Sequence, residues 1–330
     1  MEQYKKYIKN IILVLIILLL GYILYKSYYS FKDTYNNVNS ISSVKVGIAT
    51  TVKNPHALSD WIKYHLKIGF YKLYIVFDDE NEDPKISKLD NVRIFKNDDN
   101  WKKELLLLPN MSHFLNEKKE VMSRQIVNFT NARNYAKEDG VDFLLHIDAD
   151  ELFYPDSDFN TIFNKKYDSI TFQNYEMIPT KDNYKNCFKE GTNFKINTQI
   201  FNAYSNGKSA VKVDSNAVIA GVHDFSGDNK KFSQNAKILH YPSCNFDEYI
   251  NKYKILGKFS DKWWNSVQIP FKFHTQSRDM ITECSEKEKH GERGACEKSV
   301  RVYYNESNVL NSEYNQNDIK VIEYVRNLLL

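Results

Sequence analysis

Phe143 to Pro155 reads FLLHIDADELFYP. The apolar run Phe143–Ile147 has the pattern of a short buried strand, and it ends on Asp148, Asp150 and Glu151. Side chains alternate along an extended chain, so this spacing puts Asp148 and Asp150 on one side. Two carboxylates side by side at a strand end repel unless a cation lies between them. A hard divalent ion with oxygen ligands, shared with a phosphate-bearing molecule, meets that demand. The plain alternative for a D-x-D pair is a solvated turn. An aspartyl-phosphate phosphatase would place Thr or Val after the second Asp, and Glu151-Leu152 does not fit that pattern.

Working outward, Val44–Thr50 (VKVGIAT) reads as a buried strand broken by Asn54-Pro55. Leu58, Trp61, Ile62, His65 and Leu66 recur at helical spacing and predict a helix that stops at Gly69. Tyr71–Phe77 (YKLYIVF) is a second strand ending in Asp78-Asp79, and Val92–Phe95 a short third. Arg124–Glu138 predicts a helix stopping at Gly140, ahead of the Phe143 strand, and Ile170–Phe172 begins another strand. This alternation predicts an α/β sheet with right-handed crossovers. In such sheets ligands bind beyond the carboxyl ends of strands, where both acidic clusters fall.

The chain of 330 residues carries 45 Lys plus Arg and 42 Asp plus Glu, a formal net charge of +3. Residues 43–330 hold 40 of each sign, so the whole surplus sits before residue 43. A balanced body lacks the basic face that nucleic-acid binding needs. Hydrophobic content of 42% supplies a core, and 11 Gly with 7 Pro excludes collagenous or low-complexity classes.

Ile11–Tyr25 (IILVLIILLLGYILY) contains no charge and spans about 22 Å as a helix. Lys9 and Lys26 extend it by snorkelling, and Tyr22, Tyr25, Tyr28 and Tyr29 suit an interfacial belt. The bulky GYILYKSYYS end argues against a cleaved signal peptide. The expectation is a cytosolic tail (1–9), a transmembrane signal-anchor (10–26), a stem (27–42) and a body (43–330). Lys5, Lys6 and Lys9 put the N-terminus in the cytosol, making this a type II single-pass protein with a lumenal or extracytoplasmic body. Cys187, Cys244, Cys284 and Cys296 would then pair by one of three connectivities, with Cys284–Cys296 a local loop. Sequons at Asn110, Asn128 and Asn305 fit that side of a membrane.

The stretch VGIATTVKNPHALSDWIKYHLKIGFYKLYIVFDDENED (46–83) resembles the opening of GT-A glycosyltransferases related to families 2 and 92. FLLHIDADELFYP resembles their metal-binding segment, and SITFQNYEM, NGKSAVK, GVHDF and LHYPSCNFDEYINKYK resemble successive later blocks. The likeness covers about residues 44–280, with Pro55 and Glu80-Asn81 departing from the usual residues. It implies one Rossmann-like GT-A domain with a mixed central sheet, a nucleotide half at about 43–152 and an acceptor half at about 153–330.

By that resemblance Asp148 and Asp150 hold Mn²⁺ or Mg²⁺ against a UDP- or GDP-linked sugar donor. Thr50 and Thr51 line the nucleotide, Asp78 or Asp79 meets ribose or base, and Arg133 faces the diphosphate unless it is a surface arginine. His240 and His223 are candidates for a further metal ligand, His240 favoured because it ends an apolar strand; a satisfied polar histidine is the alternative. Lys208 is either a phosphate contact or a surface lysine. Glu176 and Asp224 are candidates for the base that takes the acceptor hydroxyl proton. Trp263-Trp264 and Phe271–Phe273 suit an apolar sugar platform or the core. The activity implied is transfer of a sugar to a glycan, glycoprotein or glycolipid. The alternatives are an inactive GT-A binding protein and another metal-dependent phosphoryl or nucleotidyl transferase.

Overall fold

In the computed structural model, β1 (Val46–Val52) is central because its alternate residues are apolar on both faces. Ile48 joins one core cluster and Ala49 the other. Gly47 keeps the sheet close, since a Cβ there would stand 3.1 Å from the Tyr74 ring and 3.2 Å from Leu144. The structure describes residues 43–330 apart from 83–85, 87, 99–120, 182, 243, 258, 263–267, 290–293 and 310–314, and within 1–42 it describes Tyr22. The expected anchor therefore lies outside the described residues, among which no helix is long and apolar enough to cross a membrane.

Helix α1 (Leu58–Lys67) buries Leu58, Trp61, Ile62, Tyr64 and His65, and the chain leaves it through Gly69 at φ 110°. Then come β2 (Lys72–Phe77), β3 (Val92–Lys96), α2 (Val121–Glu138) and β4 (Phe143–His146). β2 and β4 flank β1 in parallel, and β3 extends β2 in parallel. Leu73, Ile75, Phe143 and Leu145 face the α1 side; Tyr74 and Leu144 face α2 with Phe129, Ala132 and Ala136. Burial on both faces is what made these strands read as apolar runs.

After β4 the chain enters β5 (Glu151–Pro155), α3 (Phe159–Ile162), β6 (Ser169–Met177), α4 (Cys187–Glu190), β7 (Asn193–Lys195), β8 (Lys208–Lys212) and β9 (Lys230–His240). Helices α5 (Phe246–Leu256), α6 (Lys272–Lys289) and α7 (Ala295–Asn308) follow, then β10 (Ile319–Val321) and α8 (Tyr324–Leu329). Among the described residues the sheet has ten strands and runs β10-β7-β6-β8-β4-β1-β2-β3, with β9 joined to β6 and β5 joined to β9. β8 is antiparallel to β4 and to β6, so the sheet is mixed. This mixed α/β architecture fits the Rossmann-like GT-A expectation.

After β4 the chain departs from that strand's neighbours, and among the described residues β5 pairs with β9 alone. Its other flank is held by α1: Trp61 Nε1 donates to the Glu151 carbonyl at 2.7 Å and Tyr64 Oη to the Phe153 carbonyl at 2.7 Å. His65 completes the clasp, with Nδ1 2.9 Å from the Trp61 carbonyl and Nε2 taking the Phe153 N–H at 3.2 Å.

The cysteines form Cys187–Cys244, across 57 residues, and Cys284–Cys296, across 12. The second joins α6 to α7 beside a cluster of Phe246, Tyr249, Tyr253, Phe273, Ile281, Val300 and Tyr304. Phe273 thus belongs to the core, not to a sugar platform; Trp263-Trp264 lie outside the described residues. Of the sequons, Asn305 is exposed and Asn110 lies outside the described residues. Asn128 is buried in α2 and donates to Thr51 Oγ1 at 3.1 Å, so it is no acceptor for a glycan in the folded chain.

Candidate active site

The D-x-D segment is a turn, not a strand continuation. β4 stops at His146; the Glu151 N–H returns to the Asp148 carbonyl at 3.1 Å and Glu151 Oε2 accepts the Asp148 N–H at 2.7 Å. The extended-chain alternation of Asp148 and Asp150 is thereby corrected. The physical reason is the change of partner: the chain must leave β1 and β8 and turn toward β9. The turn lies at the carboxyl end of β4, beside that of β1, where the strand order reverses.

Each carboxylate meets a lysine. Lys208 Nζ is 2.7 Å from Asp148 Oδ2 and 3.6 Å from Glu151 Oε2, with its side chain 1% exposed. Gly207, at φ 73°, turns the chain into Lys208, and a Cβ there would run into the Phe172 carbonyl. Burial disfavours the ammonium, but Asp148 and Glu151 outweigh it and hold Lys208 above its ordinary value. Burial likewise works against the Asp148 charge, and Lys208 overcomes it, keeping the carboxyl below its usual range. Gln125 Nε2 takes the other Asp148 oxygen at 2.5 Å. Lys208 is therefore neither a surface lysine nor free for phosphate.

Asp150 is 2.9 Å from Lys252 Nζ, on α5, and 3.8 Å from His240 Nε2. Burial opposes its charge, yet Lys252, with His240, holds it well below the usual carboxylate range. Lys252 and Asp150 each keep about a third of the side chain exposed, 33% and 35%, so this pair faces solvent where Lys208 does not.

Across the sheet Glu151, His240 and Glu176 are register partners on β5, β9 and β6. Glu151 is fully buried; burial pushes its carboxyl up although Lys208 opposes. Tyr204 Oη donates to Glu151 Oε1 at 2.5 Å, and its ring lies 4.9 Å from His240 and 4.7 Å from His223. Glu176 accepts the backbone N–H groups of Asn202, Ala203 and Tyr204 at 2.6, 2.6 and 3.4 Å. This corrects its assignment as a base: it is buried and clamps the loop that carries Tyr204.

Ligand atoms of Asp150, Glu151 and His240 all lie within 4.8 Å of one another. His240 Nδ1 is buried with no hydrogen-bond partner among the described residues. Two carboxylates and an imidazole fit Mn²⁺ better than Mg²⁺, provided Lys252 yields its place on Asp150. Asp148, engaged by Lys208 and Gln125, stands outside this set. So does His223: Nδ1 is 2.7 Å from the Gly207 carbonyl, and burial, reinforced by Lys208, lowers the ring to about 3.

The remaining expected residues are dispersed. Thr50 Oγ1 is buried without a partner among the described residues, and Thr51 is bound by Asn128. Asp78 does not present a free carboxylate: Arg124 grips both oxygens at 2.8 Å, and Asn97 donates at 3.3 Å. Asp79 caps the turn at the Asn81 N–H, 3.0 Å away. Arg133 turns from the site to the carbonyls of Lys212, Val213, Ser215 and Ala217, fixing the loop after β8. Asp224 pairs at the surface with Lys230 at 2.7 Å, and half of its side chain is exposed. Sequence reasoning missed Gln125, Tyr204 and Lys252 as partners of the carboxylates, and Glu151 as a ligand-type group. The E of D-A-D-E was the available signal for the last.

No family model matches the chain. Among curated proteins it is similar to two of Arabidopsis thaliana. It is 25% identical over 234 residues to glycosyltransferase-like At2g41451, covering 58% of this chain and 52% of that protein. It is 23% identical over 260 residues to glycosyltransferase-like At3g57200, covering 64% and 50%. The chain spans about half the length of the curated relatives it matches.

Proposed function

We propose that this chain is a glycosyltransferase of the GT-A type, taking a UDP- or GDP-linked sugar and passing it to a glycan, glycoprotein or glycolipid hydroxyl. The observation that carries the reading is the acid–lysine–histidine cluster at the carboxyl ends of β1 and β4. Relatives named glycosyltransferase-like support the same class.

In this reading Asp150, Glu151 and His240 would hold a divalent ion, whose charge would offset that building on a departing diphosphate. Lys208 keeps Asp148 and Glu151 in place with its buried ammonium. Lys252, partly exposed, leaves Asp150 and offers its charge to the phosphates. Tyr204 fixes the Glu151 carboxylate from the opposite side. Two disulfides fit an extracytoplasmic body behind an N-terminal anchor.

Nucleotide release from a panel of UDP- and GDP-hexoses, with Mn²⁺ and with EDTA, tests the proposal. Metal-dependent release from one donor is the expected result. Nucleotide binding without release would favour an inactive binding protein, and release undiminished by EDTA would remove the ion from the mechanism.

A further inference from the structure

We infer that His56, held by Glu248, is the base that takes the proton from the acceptor hydroxyl. The inference rests on the glycosyl-transfer reading above. His56 lies in the loop that leaves the carboxyl end of β1, the edge of the sheet at which the carboxylate cluster stands. Its Nδ1 is 3.0 Å from Glu248 Oε1. The same oxygen accepts Asn245 Nδ2 at 2.8 Å, so the carboxylate is oriented as well as paired.

Glu248 and Lys252 are four residues apart on α5 and share one face of that helix. Lys252 reaches Asp150, and one turn away, about 6 Å along the axis, Glu248 reaches His56. A single helix face thus carries a link from the carboxylate cluster to an exposed imidazole. With Glu248 accepting from Nδ1, the lone pair falls on Nε2, and 44% of the His56 side chain is open to an incoming group.

An ordinary surface ion pair would need no special backbone. Here the loop is held in an uncommon one. Asn54 and Ala57, on either side of His56, have φ of 46° and 51°, and among the described residues they are the non-glycine positions with positive φ. Strain of this kind persists where surroundings over-determine it, and it concentrates at functional sites. The Glu82 carboxylate enforces it by taking the Asn54 N–H on both oxygens, at 3.0 and 3.1 Å.

The step balances. The acceptor oxygen forms a bond to the anomeric carbon, the carbon–oxygen bond to the diphosphate breaks, and its electron pair leaves on the diphosphate. The hydroxyl proton passes to His56 Nε2, and Glu248 neutralises the imidazolium. The groups around His56 are Glu248 and, one turn on, Lys252 from α5, Glu82 through the Asn54 N–H, and Asp60 on α1, itself paired with Lys189. The hydrogen bond to Glu248 raises His56 above its ordinary value, with burial opposing.

The test uses the full chain, UDP- and GDP-hexoses as donors and water as the acceptor. His56→Gln should slow nucleotide release by about 10²–10⁴-fold, the usual contribution of a general base. Affinity for free UDP and GDP should stay within about twofold, since the loss lies in the chemical step. Glu248→Gln should move the acid limb of the rate profile to lower pH. Release by His56→Gln at the wild-type rate with the same limb would overturn this inference alone, as would a parallel loss of nucleotide affinity. A wild-type chain that releases nucleotide from no donor would overturn the transfer reading and this base with it.

Discussion

Lys208 Nζ lies 2.7 Å from Asp148 Oδ2, and 1% of the lysine side chain is exposed. A buried ammonium therefore occupies the position where the sequence suggests a metal ion. It cannot leave without stranding Asp148 and Glu151, which is why the exposed pair, Asp150 with Lys252, is the exchangeable one.

Lys208→Met should destabilise the fold by about 3–5 kcal/mol, the loss that follows when one partner of a buried ion pair is removed. Equilibrium denaturation measures it. Adding Asp148→Asn to that variant should restore part of the stability, because an unpaired charge is removed. A Lys208→Met chain as stable as the parent would refute the pairing.

Tyr204→Phe removes the hydroxyl that Glu151 Oε1 accepts. The buried acceptor is then unmet, at about 1–3 kcal/mol. The disulfides and secondary structure should be unchanged by circular dichroism, while Mn²⁺ affinity falls because the Glu151 carboxylate is no longer held. Unaltered stability and metal affinity together would show that the contact is incidental.

The parts of the sheet legible in the sequence were those whose burial is local. VGIAT, KLYIVF and FLLHI are apolar on both faces, and α1 announces itself by Trp61, Ile62 and His65. β5 was not legible, because LFYP is held by α1 side chains and by β9, far along the chain. Site chemistry followed the same division. The carboxylates are neighbours in sequence, but Tyr204 meets Glu151 across 53 residues and Lys252 meets Asp150 across 102. Lys208 was misread because lysine is ordinarily exposed; what buries it is the pair of acids that the turn delivers.

Metal ligation separates the two histidines. His240→Ala should weaken Mn²⁺ binding by at least about tenfold, and Asp150→Asn should do likewise. His223→Ala should leave it near the parent value, because that ring is bonded to the Gly207 carbonyl and packs at a tilt 4.7 Å from the Tyr204 ring. Calorimetric titration of Mn²⁺ into the three variants decides it. Loss in His223→Ala with none in His240→Ala would reverse the assignment, and no loss in either would leave the position to water.

His65 gives the fold a pH dependence whose sign is fixed by its hydrogen bonds. It is fully buried, offers Nδ1 to the Trp61 carbonyl and accepts the Phe153 N–H on Nε2, so only the neutral ring satisfies both. Burial lowers it from 6.5 to about 3, with the Trp61 hydrogen bond opposing. Between those values the unfolded chain binds a proton that the folded chain does not. Stability therefore rises with pH; the contribution is complete well above 6.5 and is lost as pH falls through 6.5 toward 3. His146 and His274, lowered to about 4 by burial, act in the same direction, so the parent should lose stability steeply in acid. His65→Gln isolates one share, since an amide can donate to Trp61 and accept from Phe153 without titrating. From about pH 6.5 to about pH 5 the parent should lose about 1.6 kcal/mol more than the variant, since the slope for one group approaches about 1.36 kcal/mol per pH unit only below about 6.5. Guanidinium denaturation at stepped pH measures the difference, and parallel curves for the two chains would show that His65 does not carry the effect.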